Sequence, residues 1–287
     1  MSAIVLDDPT GGVETPSGKG SADENFPVGS FLISRRHRPH IARFYAFARA
    51  IDDIADNPTL APEDKIARLD GMDRALIGAE EGDPAYIKAH RIRQSLIQTG
   101  VPVTHCRELI VAFKQDAVKL RYQDWDDLMG YCRYSASPVG RYLLDLHGES
   151  RDAYPASDAL CDALQVINHL QDCKDDYRKL DRVYLAGDWM AEAGVGVEDL
   201  DAAAASPGIR RVLDRTLDGV DRLMLKARTL PGQLRSRRLA MESAVIVRIA
   251  ERLTAMLRRR DPIAGRVELN WWQFALCGMA GIRRTLR

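Results

Sequence analysis

Residues 165–176 read Gln165-Val166-Ile167-Asn168-His169-Leu170-Gln171-Asp172-Cys173-Lys174-Asp175-Asp176. Asn168, Asp172 and Asp176 recur at i, i+4 and i+8, so a helix carries all three on one side over two turns. Gln165 lies one turn upstream, near the same face. The intervening positions Leu164, Val166, Ile167 and Leu170 are apolar, which predicts that this helix runs through the body of the protein.

A second acidic group stands far upstream, at Arg49-Ala50-Ile51-Asp52-Asp53-Ile54-Ala55-Asp56. Asp52 and Asp56 share a helix face, and Asp53 sits beside them. Like charges at this spacing cost a helix a few tenths of a kcal/mol. A divalent cation offsets that cost. Isolated, such a run is more often solvated surface. Two of them on otherwise apolar helices point to a shared oxygen-lined site. Two facing carboxylate stripes suit magnesium, which keeps several waters and takes one or two carboxylates together with substrate phosphates. Arg49 is placed to hold a phosphate oxygen. Arg178, Lys179 and Arg182 are further candidates.

Apolar residues at three- and four-residue spacing mark a first strong helix from near Pro39, through Ile41, Phe44, Phe47 and Ile51. Helical patterns continue over roughly 63–80, 85–99, 104–118, 124–134, 138–148, 156–179, 208–230, 234–260 and 270–285. Breaks fall at Gly82-Asp83-Pro84, Gly100-Val101-Pro102, Ser137-Pro138, Pro155, Ser206-Pro207-Gly208, Pro231-Gly232 and Asp261-Pro262. No sustained period-two alternation is visible. The expected fold is all-α, about ten helices in one domain over 23–287. Residues 1–22, rich in Gly, Ser, Thr, Pro and Asp, read as a flexible tail.

The 287 residues carry 41 basic and 41 acidic side chains, and that balance disfavours nucleic acid as a partner. Five cysteines with no C-x-x-C pair disfavour a disulfide framework or zinc knuckle and fit a reducing cytoplasm. No signal-peptide pattern and no apolar run of membrane-spanning length is present. No G-x-G-x-x-G follows a strand, so a Rossmann nicotinamide site is absent.

Several features receive bland readings. His37 and His40 are expected at the surface or as caps. His169, next to Asn168, is read as packed or surface. Asp116 and Tyr122 are read as a solvent-facing acid and a packed ring, with a polar lining role near the mouth as the alternative. The runs Arg235-Arg237-Arg238 and Arg258-Arg259-Arg260 are read as solvated faces. Trp271-Trp272-Gln273-Phe274, with Leu276 and Met279, is read as core, with peripheral membrane contact as the minority alternative.

The two acidic segments resemble the paired aspartate-rich motifs of squalene and phytoene synthases. Asp181-Arg182-Val183-Tyr184-Leu185 fits the Arg-x-Tyr-aliphatic segment that follows. Tyr131-Cys132-Arg133-Tyr134-Ser135-Ala136-Ser137-Pro138-Val139-Gly140 resembles that family's central helix with its Val-Gly break. The resemblance covers about residues 23–285. It implies a single-domain isoprenoid-synthase helical bundle around a central apolar cavity. It implies that Asp52, Asp56, Asn168, Asp172 and Asp176 hold Mg2+ and diphosphate, with Asp53 alongside. It implies a substrate mouth formed by Tyr45, Arg49, Tyr131, Ser135, Gln165 and Arg182.

Within the family, Glu24-Asn25-Phe26-Pro27-Val28 and the Asn168-His169-Leu170-Gln171-Asp172-Cys173 cluster look like bacterial hydroxysqualene synthases of hopanoid biosynthesis. That branch implies conversion of presqualene diphosphate to hydroxysqualene by ionisation, rearrangement and water capture. Coupling of farnesyl diphosphate and a non-catalytic scaffold role, with other pathway enzymes as partners, are the alternatives. A cation in the cavity would be stabilised by aromatic faces, for which Phe44, Tyr45, Phe47, Tyr131 and Tyr134 are candidates. Quenching water needs a polar group deep in the cavity, and Ser135, Ser137, Gln165 and Asn168 are all open to that role.

Overall fold

The computed structural model describes residues 12–14, 32–80 and 82–285. The expected start of the folded domain and the segment 24–28 lie outside these residues. The first helix, α1, spans Arg38–Ala55, and Pro39 falls in its first turn, where a missing N–H costs nothing. Its apolar stripe of Ile41, Phe44, Phe47, Ile51 and Ile54 is buried. α2 (Pro62–Ile77), α3 (Ile87–Thr99) and α4 (Thr104–Asp116) pack around it. Gly78 and Gly100, both at positive φ, end α2 and α3.

Three residues from the expected tail are docked on this layer. Val13 N–H donates to the Ala85 carbonyl at 3.0 Å, and Glu14 pairs with Lys88 at 2.7 Å.

α5 (Trp125–Ser135) and α6 (Ser137–His147) meet at Ala136. The expected Ser137-Pro138 break adjoins this junction, whereas the Val139-Gly140 pair of the resemblance is not a break. Gly140 lies inside α6, where an added Cβ would sit 2.3 Å from Ser157 Oγ and 2.7 Å from Cys161 Sγ. Its missing side chain lets α6 approach α7 (Tyr154–Leu180) closely. α7 has 27 residues, so it is ~40 Å long. It packs against α5, α6, α9 (Pro207–Ala227) and α11 (Arg237–Leu257), which makes it the central column of the bundle.

Asp181 ends α7 in the left-handed conformation (φ 50°). A short acidic residue tolerates that region better than most. The reversal feeds Arg182 back toward the helix and into β2 (Val183–Ala186), which pairs in parallel with β1 (Arg121–Tyr122). This ladder is too short to leave a period-two signal, and β2 is buried on both faces. Two short helices, α8 (Gly187–Ala193) and α10 (Leu230–Gln233), also escaped the periodicity reading.

The last helix, α12 (Trp271–Thr285), lies along α11. Its apolar outer face is open: Trp271 and Trp272 are 65% and 63% exposed, and Leu276 and Met279 are exposed with them. The expectation that this segment is core is thus corrected. Among the described residues α11 is the main neighbour of α12, and that contact takes its other face. No helix among the described residues is long and apolar enough to cross a membrane. All five cysteines are free.

Candidate active site

A cavity of about 880 Å³ opens between α1 and α7. The i, i+4 geometry of α1 turns Tyr45, Arg49, Asp52 and Asp56 toward it. From α7, Gln165, Asn168, Asp172 and Asp176 face it along about three turns. Two acidic segments more than a hundred residues apart thus meet across one mouth. Tyr131 and Ser135 of α5 and Arg182 after α7 complete the set expected from sequence.

Asp53 departs from that set. It is buried off the lining, and its Oδ1 accepts from Arg49 at 3.0–3.1 Å. Arg49 also pairs with Asp52 Oδ2 at 2.8 Å. Helix geometry explains the difference: Asp53 lies 100° around α1 from Asp52, on the side of the buried Ala50 and Ile54. Its contact clamps Arg49 beside the mouth.

Arg182 is only 5% exposed and bridges the two halves. It donates to Asp56 Oδ1 at 2.9 Å, to the Asp116 carbonyl at 2.9 Å and to the Tyr184 hydroxyl at 3.3 Å. Arg178 instead points outward to Asp201. Lys179 reaches the rim, where it pairs with Asp175 at 2.9 Å. Arg266, unremarked in the sequence, lines the opposite rim and holds Asp172 at 3.2 Å.

Asp116 is not a solvent-facing acid. It is buried and accepts from Tyr131 OH at 2.7 Å and from Tyr184 OH at 3.5 Å. Burial raises its pKa to about 7 against the opposing pull of Arg182 and the Tyr131 hydrogen bond. The signal was present in α4: Leu109, Ala112 and Phe113 precede Asp116 by seven, four and three residues, so the acid occupies the apolar face.

His169 is packed rather than exposed. Its ring stacks on Tyr184 at 3.4 Å and 12°, and it lines the cavity. Burial, then Arg182, lowers its pKa to about 3. Val166 and Cys173, three before and four after it, are the apolar pattern that marks this face as interior. His37 is likewise buried, edge-on to His147 at 4.3 Å, and His40 bonds Ser95 at 2.7 Å. His37 stands at the N-cap position of α1, as one of the two expected roles has it, but is buried rather than at the surface, and His40 is half-buried.

The aromatic lining also differs from expectation. Phe44 stacks on Tyr142 at 3.9 Å in the core, Phe47 is fully buried there, and Tyr134 is off the lining. Phe113, Tyr184 and His169 join Tyr45 and Tyr131 instead. Tyr122, packed as expected, backs this group at 5.4–5.5 Å from Tyr131 and Tyr184. The cavity therefore has an acidic mouth and an aromatic wall.

Asp52 keeps 26% of its side-chain surface open to the cavity. Burial, then the neighbouring Asp56 charge, holds its pKa well above the ordinary carboxylate value. A bound cation would reverse that shift. Among the described residues, no three acidic, histidine or cysteine side chains converge closely enough to chelate a metal unaided. Hard oxygen donors spread across a wide mouth instead fit an ion that keeps its own waters and bridges to phosphate oxygens.

The chain resembles known proteins over nearly all its length. The family pattern described as squalene/phytoene synthase matches residues 20–273. Hydroxysqualene synthase from Rhodopseudomonas palustris is 43% identical over 95% of this chain and 92% of its own. Its counterpart from Zymomonas mobilis is 45% identical over 88% of this chain and 85% of its own. The crystal structure of a squalene synthase from Alicyclobacillus acidocaldarius superposes with a TM-score of 0.70 at 33% identity, covering 81% of this chain and 87% of that one. A dehydrosqualene synthase shares the fold, with a TM-score of 0.77 at 19% identity over 91% and 92% of the two chains. Family match, relatives and helical architecture agree, and the chain belongs to the squalene/phytoene synthase family.

Proposed function

We propose that this protein converts presqualene diphosphate to hydroxysqualene, releasing diphosphate. The observation that carries the reading is the opposition of Asp52 and Asp56 to Asp172 and Asp176 across one mouth, above an aromatic wall. The hydroxysqualene synthases at 43% and 45% identity support the choice of substrate. A scaffold role would not require all four carboxylates to be kept on one cavity.

In this reading Asp52, Asp56, Asn168, Asp172 and Asp176 hold Mg2+, which when bound neutralises diphosphate and eases its departure. Asp53 acts through Arg49. Arg49, Arg182, Lys179 and Arg266 surround the mouth and orient the diphosphate oxygens. Tyr45, Phe113, Tyr131 and Tyr184 present ring faces to the carbocation, each contributing about 0.5–2 kcal/mol. Asp116 fixes the Tyr131 and Tyr184 hydroxyls so that those rings cannot turn. Water then captures the rearranged cation.

The same reading places the protein in the cytoplasm, peripheral to the inner face of the membrane. Trp271, Trp272, Leu276 and Met279 form an exposed stripe that Arg283 continues one turn on. Interfacial tryptophans with a flanking arginine suit anionic lipid headgroups. The stripe begins five residues after Arg266 on the cavity rim, close to where an apolar C30 product would emerge.

The test is a product assay with presqualene diphosphate and Mg2+, without nicotinamide, in 18O-enriched water. A C30 alcohol carrying the label is the expected result. No alcohol, together with presqualene diphosphate or a hydrocarbon formed from farnesyl diphosphate alone, would move the protein to the coupling branch.

A further inference from the structure

Water capture requires a polar atom inside an otherwise aromatic cavity. Four residues were open to that role from sequence, and the geometry reduces them. Ser137 Oγ donates to Asp162 at 2.9 Å and does not line the cavity. Gln165 and Asn168 line the cavity on the α7 face that carries the acidic stripe. Ser135 does line the cavity, one turn along α5 from Tyr131, and its Oγ is buried without a hydrogen-bond partner.

His169, read from sequence only as packed or surface, joins Ser135 there. It is 9% exposed and lines the same cavity. Its ring is 6.0 Å from that of Tyr131 and lies flat on Tyr184. Its Nε2 is buried and has no partner. Buried polar atoms are nearly always satisfied by protein or by ordered water. Ser135 Oγ and His169 Nε2 both belong to residues that line one aromatic cavity, on the neighbouring helices α5 and α7, and a water admitted between those helices would satisfy them.

We propose that His169, together with Ser135, holds the water molecule that captures the carbocation, and so sets the product as an alcohol rather than an olefin. The inference rests on the hydroxysqualene-forming reading. Diphosphate leaves with the electron pair of its C–O bond. The water oxygen supplies the pair for the new C–O bond, and its surplus proton passes to the departed diphosphate. No oxidant or reductant is consumed. His169 serves by hydrogen bonding alone and takes no proton.

The experiment compares the parent protein with His169→Phe, His169→Asn and Ser135→Ala. Each receives presqualene diphosphate and Mg2+ in 18O-water. The readout is labelled alcohol per diphosphate released, which a merely structural defect would not shift. His169→Phe keeps a ring on Tyr184 and removes Nε2. Its alcohol fraction should fall about tenfold, the scale of one lost hydrogen bond, with unhydroxylated C30 olefins in its place. His169→Asn should recover part of the alcohol. Ser135→Ala leaves the ring stack untouched and should also lower the fraction, so the proposal stays testable if His169→Phe fails to fold. An unchanged alcohol fraction in the folded variants overturns the inference and leaves the functional reading intact. Absence of labelled alcohol from the parent protein overturns that reading, and this inference with it.

Discussion

Asp116 shows how one residue can join a site to the stability of the fold. It anchors Tyr131, Tyr184 and Arg182 in surroundings with almost no solvent. Asp116→Ala would leave a buried guanidinium and two phenols short of a partner. A loss of about 3 kcal/mol in urea unfolding is expected, and a change below 1 kcal/mol would show that the network reorganises. Asp52→Ala and Asp172→Ala should behave oppositely. Each removes a carboxylate from a like-charged cluster, so melting should hold while turnover falls roughly 10²-fold or more, since preorganised electrostatic groups of this kind contribute about 3 kcal/mol. Unfolding of those variants would mean the acids are structural. His37 carries a pH dependence. Burial, then His147, holds its pKa down to about 4, against 6.5 in the unfolded chain. The folded form therefore binds fewer protons. Its contribution is intact above pH 6.5 and is lost as pH falls toward 4. His37→Phe should flatten the fall of Tm across that window, and identical slopes would assign the acid sensitivity to other groups.

Among the elements, α7 was the most legible, because its acids, apolar positions and length all follow one period. The predicted 156–179 differs from Tyr154–Leu180 by only two residues at the start and one at the end. β1 and β2 were illegible because strands of two and four residues cannot display an alternation. α12 was legible as a helix and misread as to burial, since periodicity reveals an apolar face and not what covers it. Its seat on α11 depends on Gly281, where a Cβ would fall 2.7 Å from the Val245 Cα and N. Gly281→Ala must separate the two backbones. It should cost about 1–3 kcal/mol and raise hydrogen exchange in α12 ahead of the rest of the chain. Uniform exchange would argue against a local weakening.

At the scale of the whole molecule, one cavity and one exposed apolar stripe adjoin through the segment from Arg266 to Trp271. Replacing Trp271 and Trp272 by serine should abolish sedimentation with anionic vesicles while leaving turnover of detergent-dispersed substrate close to the parent's. Equal sedimentation of the two proteins would remove the stripe from any lipid contact. The two proposed roles are separable because the acids face inward between helices, whereas the tryptophans face away from the bundle.

By itself the sequence determined the helical class, most helix positions and the two acidic stripes, because these depend on spacing along a single helix. It also determined that Asp52 shares a face with Asp56 and that Asp172 shares one with Asp176. Tertiary structure alone decided that the stripes confront each other. It also drew Tyr184 and Arg266 into the lining and left the outer face of α12 open. Those outcomes depend on which helices meet and at what rotation, a long-range matter of packing that local periodicity does not encode.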